Sequence, residues 1–299
     1  MKIAITGANS SVGLNLINHI ISATDIEIIA GVRSERAMKS LPGSPQVDPR
    51  IISYQDAEQL ASALEGADCV VHLAGILIED KHTSYASANV DATEAVVKAA
   101  QKIGAKHLVF ISVVGASTES GNAYFRSKGL AEEFVKNSGL PASIIRTPIL
   151  LGPNTAGASS IIGAANQAKT KILGGGKYFM RPLDIDDLNQ AIITCCQSDS
   201  AEAQLYELVG PEPISYRDLI QKAADMMNSK VEIGSVPIGL AKLVAAISSR
   251  IKGGGITPTV IDVITKDEVV AENADGALGL TLTPLQNTLE KILEHKKKK

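Results

Sequence analysis

The 299 residues, 45% hydrophobic and 20% charged, suit one large soluble domain or a nucleotide-binding domain carrying a smaller lobe. A net charge of −3 gives no global field favouring nucleic acid or an acidic membrane, and no uninterrupted apolar stretch is long enough to span a bilayer. The cysteines, Cys69, Cys195 and Cys196, are odd in number and lack metal-site spacing, which points to reduced thiols, no metal and a cytoplasmic setting.

The apolar opening Ile3-Ala4-Ile5 runs straight into a glycine turn, so it is expected to begin the fold rather than to serve as a signal peptide. Strands are predicted at Lys2–Thr6, Ile26–Gly31, Arg50–Ser53, Asp68–Leu73, His107–Ile111 and Ala142–Arg146. Between them, helical periodicity marks Val12–Ala23, Ala57–Leu64, Ser84–Gly104 and Ala123–Asn137. Nearly continuous apolar runs such as Cys69-Val70-Val71-His72-Leu73 imply strands buried on both faces. The expected fold is therefore α/β, a doubly wound parallel sheet of the Rossmann type covered by helices on each side.

After Gly152-Pro153 the alternation loosens into a Gly/Ala/Ser-rich stretch, a helix opened by Asp184–Asp187, a strand at Gln204–Val209 and a helix capped by Ser215. The expected division is a dinucleotide domain over 1–152, a smaller, mainly helical lobe over 153–295 interleaved with the last strand, and a disordered basic tail over 296–299. The apolar stretch Ile233–Ile251, interrupted by Pro237, Lys242 and Arg250, reads as a helix for which packing in the lobe is expected ahead of membrane contact.

Thr6-Gly7-Ala8-Asn9-Ser10-Ser11-Val12-Gly13 lies between the first strand and first helix. Gly7 permits a sharp turn, Gly13 lets the helix pack closely on the sheet, and the free amides at the helix start face a pyrophosphate. Ser10 replaces the usual middle glycine and is expected to turn its hydroxyl toward a phosphate. After the second strand the chain reads Ala30-Gly31-Val32-Arg33-Ser34, with Arg33 where a ribose-binding carboxylate would stand. An arginine there pairs with a 2′-phosphate, which favours NADP over NAD.

These segments, with His72-Leu73-Ala74-Gly75, Asn89, Val109-Phe110-Ile111-Ser112, Tyr124-Phe125-Arg126-Ser127-Lys128 and Arg146-Thr147-Pro148, resemble the extended and atypical branches of the short-chain dehydrogenase/reductase superfamily, among epimerase/dehydratase-like proteins. The C-terminal half, through Leu183–Asp187, Glu207–Pro211 and Thr257–Glu272, resembles bacterial relatives of the nucleotide-binding accessory subunit of respiratory complex I. The resemblance implies that Tyr124 exchanges a proton with substrate, and that Lys128, four residues on and on the same helix face, lowers its pKa and holds the nicotinamide ribose. It further implies that Leu73, Ala74 and Gly75 admit the adenosine side of the cofactor and that Asn89 lies beside the pair. The serine that polarises the substrate oxygen in relatives aligns with Val113, so Ser112 is the expected substitute, or Ser117 from the following loop.

The remaining polar residues read mostly as structural. His72 is expected as a strand-end histidine, and Asp184, Asp186 and Asp187 as helix-capping groups, with Arg181 a weaker candidate for an anionic substrate group. Two functions follow. One is an NADP-linked oxidoreductase or epimerase acting on a small, apolar molecule, since the chain is only 3% aromatic and has no Trp. The other is a catalytically weak or inactive dinucleotide-binding protein that serves as an assembly, stabilising or redox-sensing partner of a membrane or quinone-linked complex. A nucleotide-sugar epimerase fits less well, because the chain is short for that branch and carries Arg33.

Overall fold

The computed structural model describes residues 1–297. Seven parallel strands form the main sheet: β1 (Lys2–Thr6), β2 (Glu27–Val32), β3 (Val47–Ile51), β4 (Cys69–His72), β5 (His107–Val113), β6 (Ala142–Thr147) and β7 (Gln204–Glu207). Their spatial order is β7-β6-β5-β4-β1-β2-β3, the arrangement expected of a doubly wound dinucleotide fold. The third strand starts earlier than predicted because Val47 to Ile51 pair with Ile28 to Val32 despite Asp48 and Pro49, as an edge strand permits.

The helices of the first half are α1 (Ser11–Ala23), α2 (Glu35–Met38), α3 (Ala57–Leu64), α4 (Ala92–Lys102) and α5 (Ala123–Lys136). The predicted Ser84–Gly104 helix contains a π-helical segment, Ala86–Asp91, before α4 begins. The second half adds α6 (Ala156–Ala165), α7 (Ile185–Cys196), α8 (Tyr216–Met226), α9 (Ile238–Lys252), α10 (Pro258–Ile264) and α11 (Leu285–Lys297). One face of the sheet is covered by α1 and α7, through Leu16, Ile17, Ile20, Leu188 and Ile192 packed on Ile3, Ile5, Ile28 and Val71. The other is covered by α3, α4 and α5, through Leu60, Leu64, Val96 and Val135 on Ala4, Ile29, Val70 and Ile144. Both faces of every central strand are thus removed from water, the main driving force for this fold.

A third cluster joins α6, α8 and α11 through Ile161, Ile162, Leu219, Ile220, Leu285, Leu289 and Ile292. This is the lobe above the carboxyl ends of the strands. Because α7 and β7 belong to the sheet layers, the lobe is drawn from chain on both sides of them.

Two expectations need correction. Lys296 and Lys297 close α11 rather than forming a disordered tail, and basic side chains in the last turn complement the helix dipole; Lys298 and Lys299 lie outside the described residues. The apolar helix α9 does not pack its large side chains into the lobe: Leu240, Leu243, Val244, Ile247 and Ile251 are all exposed. Its sequence places Ala and Ser on the side that meets the protein, and those residues have little apolar surface to bury.

Candidate dinucleotide site and catalytic positions

The chain leaves β1 through Gly7, whose φ of +79° is left-handed and whose added Cβ would lie 3.0 Å from the Ala74 amide nitrogen. Only glycine combines that backbone with so close an approach to the Leu73-Ala74 turn. Gly13 is required for a different reason than the sequence suggested. A Cβ there would lie 2.5 Å from the Ala8 carbonyl oxygen and 2.7 Å from that of Gly7, so the helix closes on the turn itself rather than on the sheet.

Ser10, with φ −69° and ψ 162°, is the N-cap of α1, and its Oγ accepts the Gly13 amide at 3.0 Å. The middle-glycine replacement is therefore accommodated by an ordinary extended backbone, and the hydroxyl oxygen caps the helix instead of being reserved for a phosphate. Among the described residues no acceptor is assigned to the amides of Ser11 and Val12, which leaves two donors at the positive end of the helix dipole. With Asn9 exposed beside them, this cradle fits a pyrophosphate. Arg33 is exposed immediately beyond β2, the strand that neighbours β1 at Thr6 and Gly31.

The floor of the site is a buried hydrogen-bonded group. Asn89, fully buried in the π-helical segment, accepts the Ile76 amide at 2.8 Å and donates to the Ile76 carbonyl at 3.1 Å and to Ser127 Oγ at 3.0 Å. It thereby fixes the turn that carries Leu73, Ala74 and Gly75; a Cβ on Gly75 would lie 3.1 Å from Asn89 Oδ1. A π-bulge at such a position matches the tendency of these segments to occur at functional sites. His72 is buried between Thr6 and Thr93. Thr93 donates to the Asn89 carbonyl at 2.7 Å, so it accepts from His72 Nε2, 3.1 Å away, and Thr6 donates to Nδ1 at 2.6 Å. Burial and the charge on Lys128 push the His72 pKa down to about 3, so the ring is neutral and structural, as expected.

Tyr124, Lys128 and Glu132 are spaced four residues apart on α5. The Tyr124 hydroxyl has no hydrogen bond among the described residues, whereas its ring neighbour Tyr85, 5.8 Å away between centroids, donates to the Leu77 carbonyl at 2.7 Å. Burial, reinforced by Tyr85, raises the Tyr124 pKa rather than lowering it. The expected depression by Lys128 is not found, because the ammonium is turned elsewhere: it donates to the Ile111 carbonyl at 2.8 Å and lies 4.1 Å from the centroid of the Phe110 ring. Burial brings the Lys128 pKa down to about 7, opposed by the Glu132 carboxylate.

Ser112 does not reach the pair. Its buried hydroxyl donates to Glu132 Oε1 at 2.5 Å. Glu132 is in turn held by Arg146 through two bonds, of 2.9 and 2.7 Å, and Arg146 also contacts Glu207 at 3.2 Å and the Ala116 carbonyl at 2.9 Å. A serine committed to a buried carboxylate cannot also donate to a substrate oxygen. Val113 stands half-buried in the aligned position, and Ser117, exposed, caps its own loop by accepting the Glu119 amide at 3.2 Å. The Ser112–Glu132–Arg146–Glu207 network was missed in the sequence, although the Tyr124, Lys128, Glu132 spacing was there to be read.

Arg181 is likewise not free, since its guanidinium donates to the carbonyls of Gly210 and Pro211 at 2.9 and 3.1 Å. Asp184 caps α7 by accepting the Asp186 amide at 2.8 Å, and it also accepts from Thr288 and Lys291 at 2.6 and 2.5 Å. Asp187 accepts from the amide and hydroxyl of Thr283. The acidic cluster therefore anchors α11 and the segment before it as well as capping α7. Among the described residues no group of His, Cys, Asp or Glu has the arrangement of a metal site.

A glycine cradle at the carboxyl end of β1, free amides on α1 and a parallel sheet in this order define a dinucleotide-binding α/β protein. The profile of the NAD(P)H-binding family matches residues 7–172, and the chain belongs to that family. It is 26% identical over 267 residues to the mitochondrial NADH dehydrogenase [ubiquinone] 1 alpha subcomplex subunit 9 of Arabidopsis thaliana, covering 84% of this chain and 65% of that one. Among solved structures it superposes on MoeE5 in complex with UDP-glucuronic acid and NAD with a TM-score of 0.77 and 16% identity, covering 100% and 99% of the two chains. The triphenylmethane reductase of Citrobacter sp. complexed with NADP(H) gives a TM-score of 0.75 and 21% identity, covering 97% and 99%. At these identities the structural likeness speaks to the fold alone.

Proposed function

We propose that this protein is an NADP-linked oxidoreductase of the atypical short-chain type, with Tyr124 as its proton-exchanging group. The observation that carries the reading is a Tyr124 hydroxyl left without a protein partner, one helical turn from a buried ammonium, above the carboxyl ends of the sheet. Gly7, the Ser11 and Val12 amides and Gly13 would hold the pyrophosphate, and Arg33 the 2′-phosphate. Gly75 and the turn fixed by Asn89 would admit the adenosine side.

The bound nicotinamide supplies a hydride donor or acceptor. Tyr124 gives a proton to the substrate oxygen in reduction and takes it back in oxidation. Lys128 would hold the nicotinamide ribose with the ammonium it now directs at the Ile111 carbonyl. With Val113 in the serine position, the substrate oxygen receives its hydrogen bond from Tyr124 alone.

A second reading is favoured by the engagement of Ser112 with Glu132 and by the relation to a complex I subunit: a dinucleotide-binding partner of a membrane or quinone-linked complex that does little chemistry. Titration of the protein with NADPH and NADH, followed by turnover of carbonyl substrates by Tyr124→Phe, separates them. Selective NADPH binding with turnover lost in the variant supports the oxidoreductase. Selective binding with no turnover in either protein supports the partner role, and failure to bind either nucleotide refutes both.

A further inference from the structure

Helix α9 turns its apolar side outward. Leu240, Leu243, Val244, Ile247 and Ile251 follow the spacing of a single helical stripe, and Leu243 and Ile251 are 60% and 81% exposed. Past Ile238, which packs on Gly174, the inward side carries Ala241, Lys242, Ala245, Ser248 and Ser249. Soluble helices bury the stripe of large aliphatics and expose the small and charged residues. Here the arrangement is reversed, and Ile256, just past the helix, is 56% exposed as well.

The support beneath the stripe is firm. Gly253 ends the helix in the left-handed region at φ +67°, and the Gly254 amide donates to the Ser249 carbonyl at 3.0 Å. Gly255 donates to the Glu79 carbonyl at 3.2 Å, and a Cβ on Gly254 would lie 2.7 Å from that same oxygen. On the inner side Lys242 pairs with Asp262 of α10.

Charge bears on what covers the stripe. From Pro237 to Thr257 the sequence carries Lys242, Arg250 and Lys252 and no Asp or Glu. Asp262 neutralises Lys242, and Glu79 and Asp80 lie against Gly254, so Arg250 is the unpaired cation described beside the stripe. Arg250 is exposed beside Ile251 and has no ion-pair partner among the described residues. The net charge of −3 does not oppose a local attraction, because salt screens exposed charges beyond about 8 Å. A second copy of the chain would bring like charges together across the same stripe. The helix of 15 residues is about 22 Å long, short of the roughly 30 Å hydrocarbon core, and no helix among the described residues is long and apolar enough to cross a membrane. A helix of this kind lies in the plane of the interface.

We propose that α9 docks the protein on the surface of an anionic lipid bilayer, with its aliphatic stripe at the acyl boundary and Arg250 among the headgroups. The test is flotation of the full chain with phosphatidylcholine vesicles, with and without about 30 mol % phosphatidylglycerol. Flotation is expected with the anionic vesicles and about fivefold or more weaker with the neutral ones. Arg250→Glu should weaken it by at least fivefold, and Leu243→Asp or Ile247→Asp by tenfold or more, with unchanged circular dichroism and thermal midpoint, because these positions are already in water. No flotation, or flotation indifferent to Leu243→Asp and Ile247→Asp, overturns the proposal. So does a dimer in light scattering that these substitutions dissociate while vesicle binding is absent, which would assign the stripe to a second copy.

Discussion

Replacing Lys128 by Met retains most of the side chain's length and removes an ammonium whose pKa burial brings from 10.5 to about 7. Between those two values the unfolded chain holds a proton at Lys128 that the folded chain has released, so this residue makes stability rise with pH across the window. At 1.36 kcal/mol per pH unit the whole window is worth about 5 kcal/mol, and at pH 7, with the folded group half protonated, about 4 kcal/mol of that cost is still present. The Met variant escapes it but loses the bond to the Ile111 carbonyl and the contact with the Phe110 ring, together about 1–3 kcal/mol. Lys128→Met should therefore be more stable than the parent at pH 7 by about 1–3 kcal/mol, with the advantage shrinking and then reversing toward pH 10. Urea unfolding of both cofactor-free proteins at half-unit pH steps measures the difference directly. If cofactor binding requires the charged form, the parent's NADPH affinity should fall by up to about tenfold per pH unit above 7, while the variant's stays flat. A stability difference that does not change with pH would refute both the buried-ammonium account and the coupling drawn from it.

Three further substitutions probe the rest of the site. Gly13→Ala puts a methyl against two backbone carbonyls that no rotamer change can relieve, and it should abolish nucleotide binding by calorimetry while costing about 1–3 kcal/mol of stability. Arg33→Ser should weaken NADPH about 10- to 100-fold and leave NADH unchanged, and equal losses for both nucleotides would contradict the 2′-phosphate assignment. Ser112→Ala should lower stability by about 1–2 kcal/mol in urea unfolding, because Glu132 loses a donor, yet keep turnover within about twofold; a loss near 10² would return Ser112 to the catalytic group.

The parallel sheet was legible because its strands are short apolar runs buried on both sides, a pattern that few other arrangements satisfy. The Thr6–Gly13 turn was legible because backbone sterics single out glycine there, although the contact that requires Gly13 is the turn's own carbonyls. What could not be read was the partner of each polar side chain. Ser112 and Arg181 looked available one residue at a time, yet each is used by a group 20 or 29 positions away, and Asp184, read as a helix cap and found as one, also holds Thr288, 104 positions on. The π-helical segment around Asn89 was hidden for a related reason, since one extra residue in a helical turn barely disturbs a hydrophobic period. For Ile233–Ile251 the apolar run gave a helix, but Glu232–Val236 is a short strand paired with Lys169–Leu173 and the helix starts at Ile238. Which side of α9 meets the protein is set by the small residues on its covered face.

The chemistry then depends on how the Ser112 hydroxyl is used. A buried Glu132 with Arg146 on two of its oxygens' lone pairs still needs a further donor, and Ser112 meets that need at 2.5 Å. The hydroxyl nearest the Val113 position is here part of what holds α5 against β5 and β6. An enzyme built this way gives up a donor worth about 10²–10³ in rate, so turnover should be slow unless substrate is held in place by the lobe. Any proton transfer the site performs then falls to the half-buried Tyr124, whose hydroxyl has no partner among the described residues, whereas that of Tyr85 is spent on the Leu77 carbonyl.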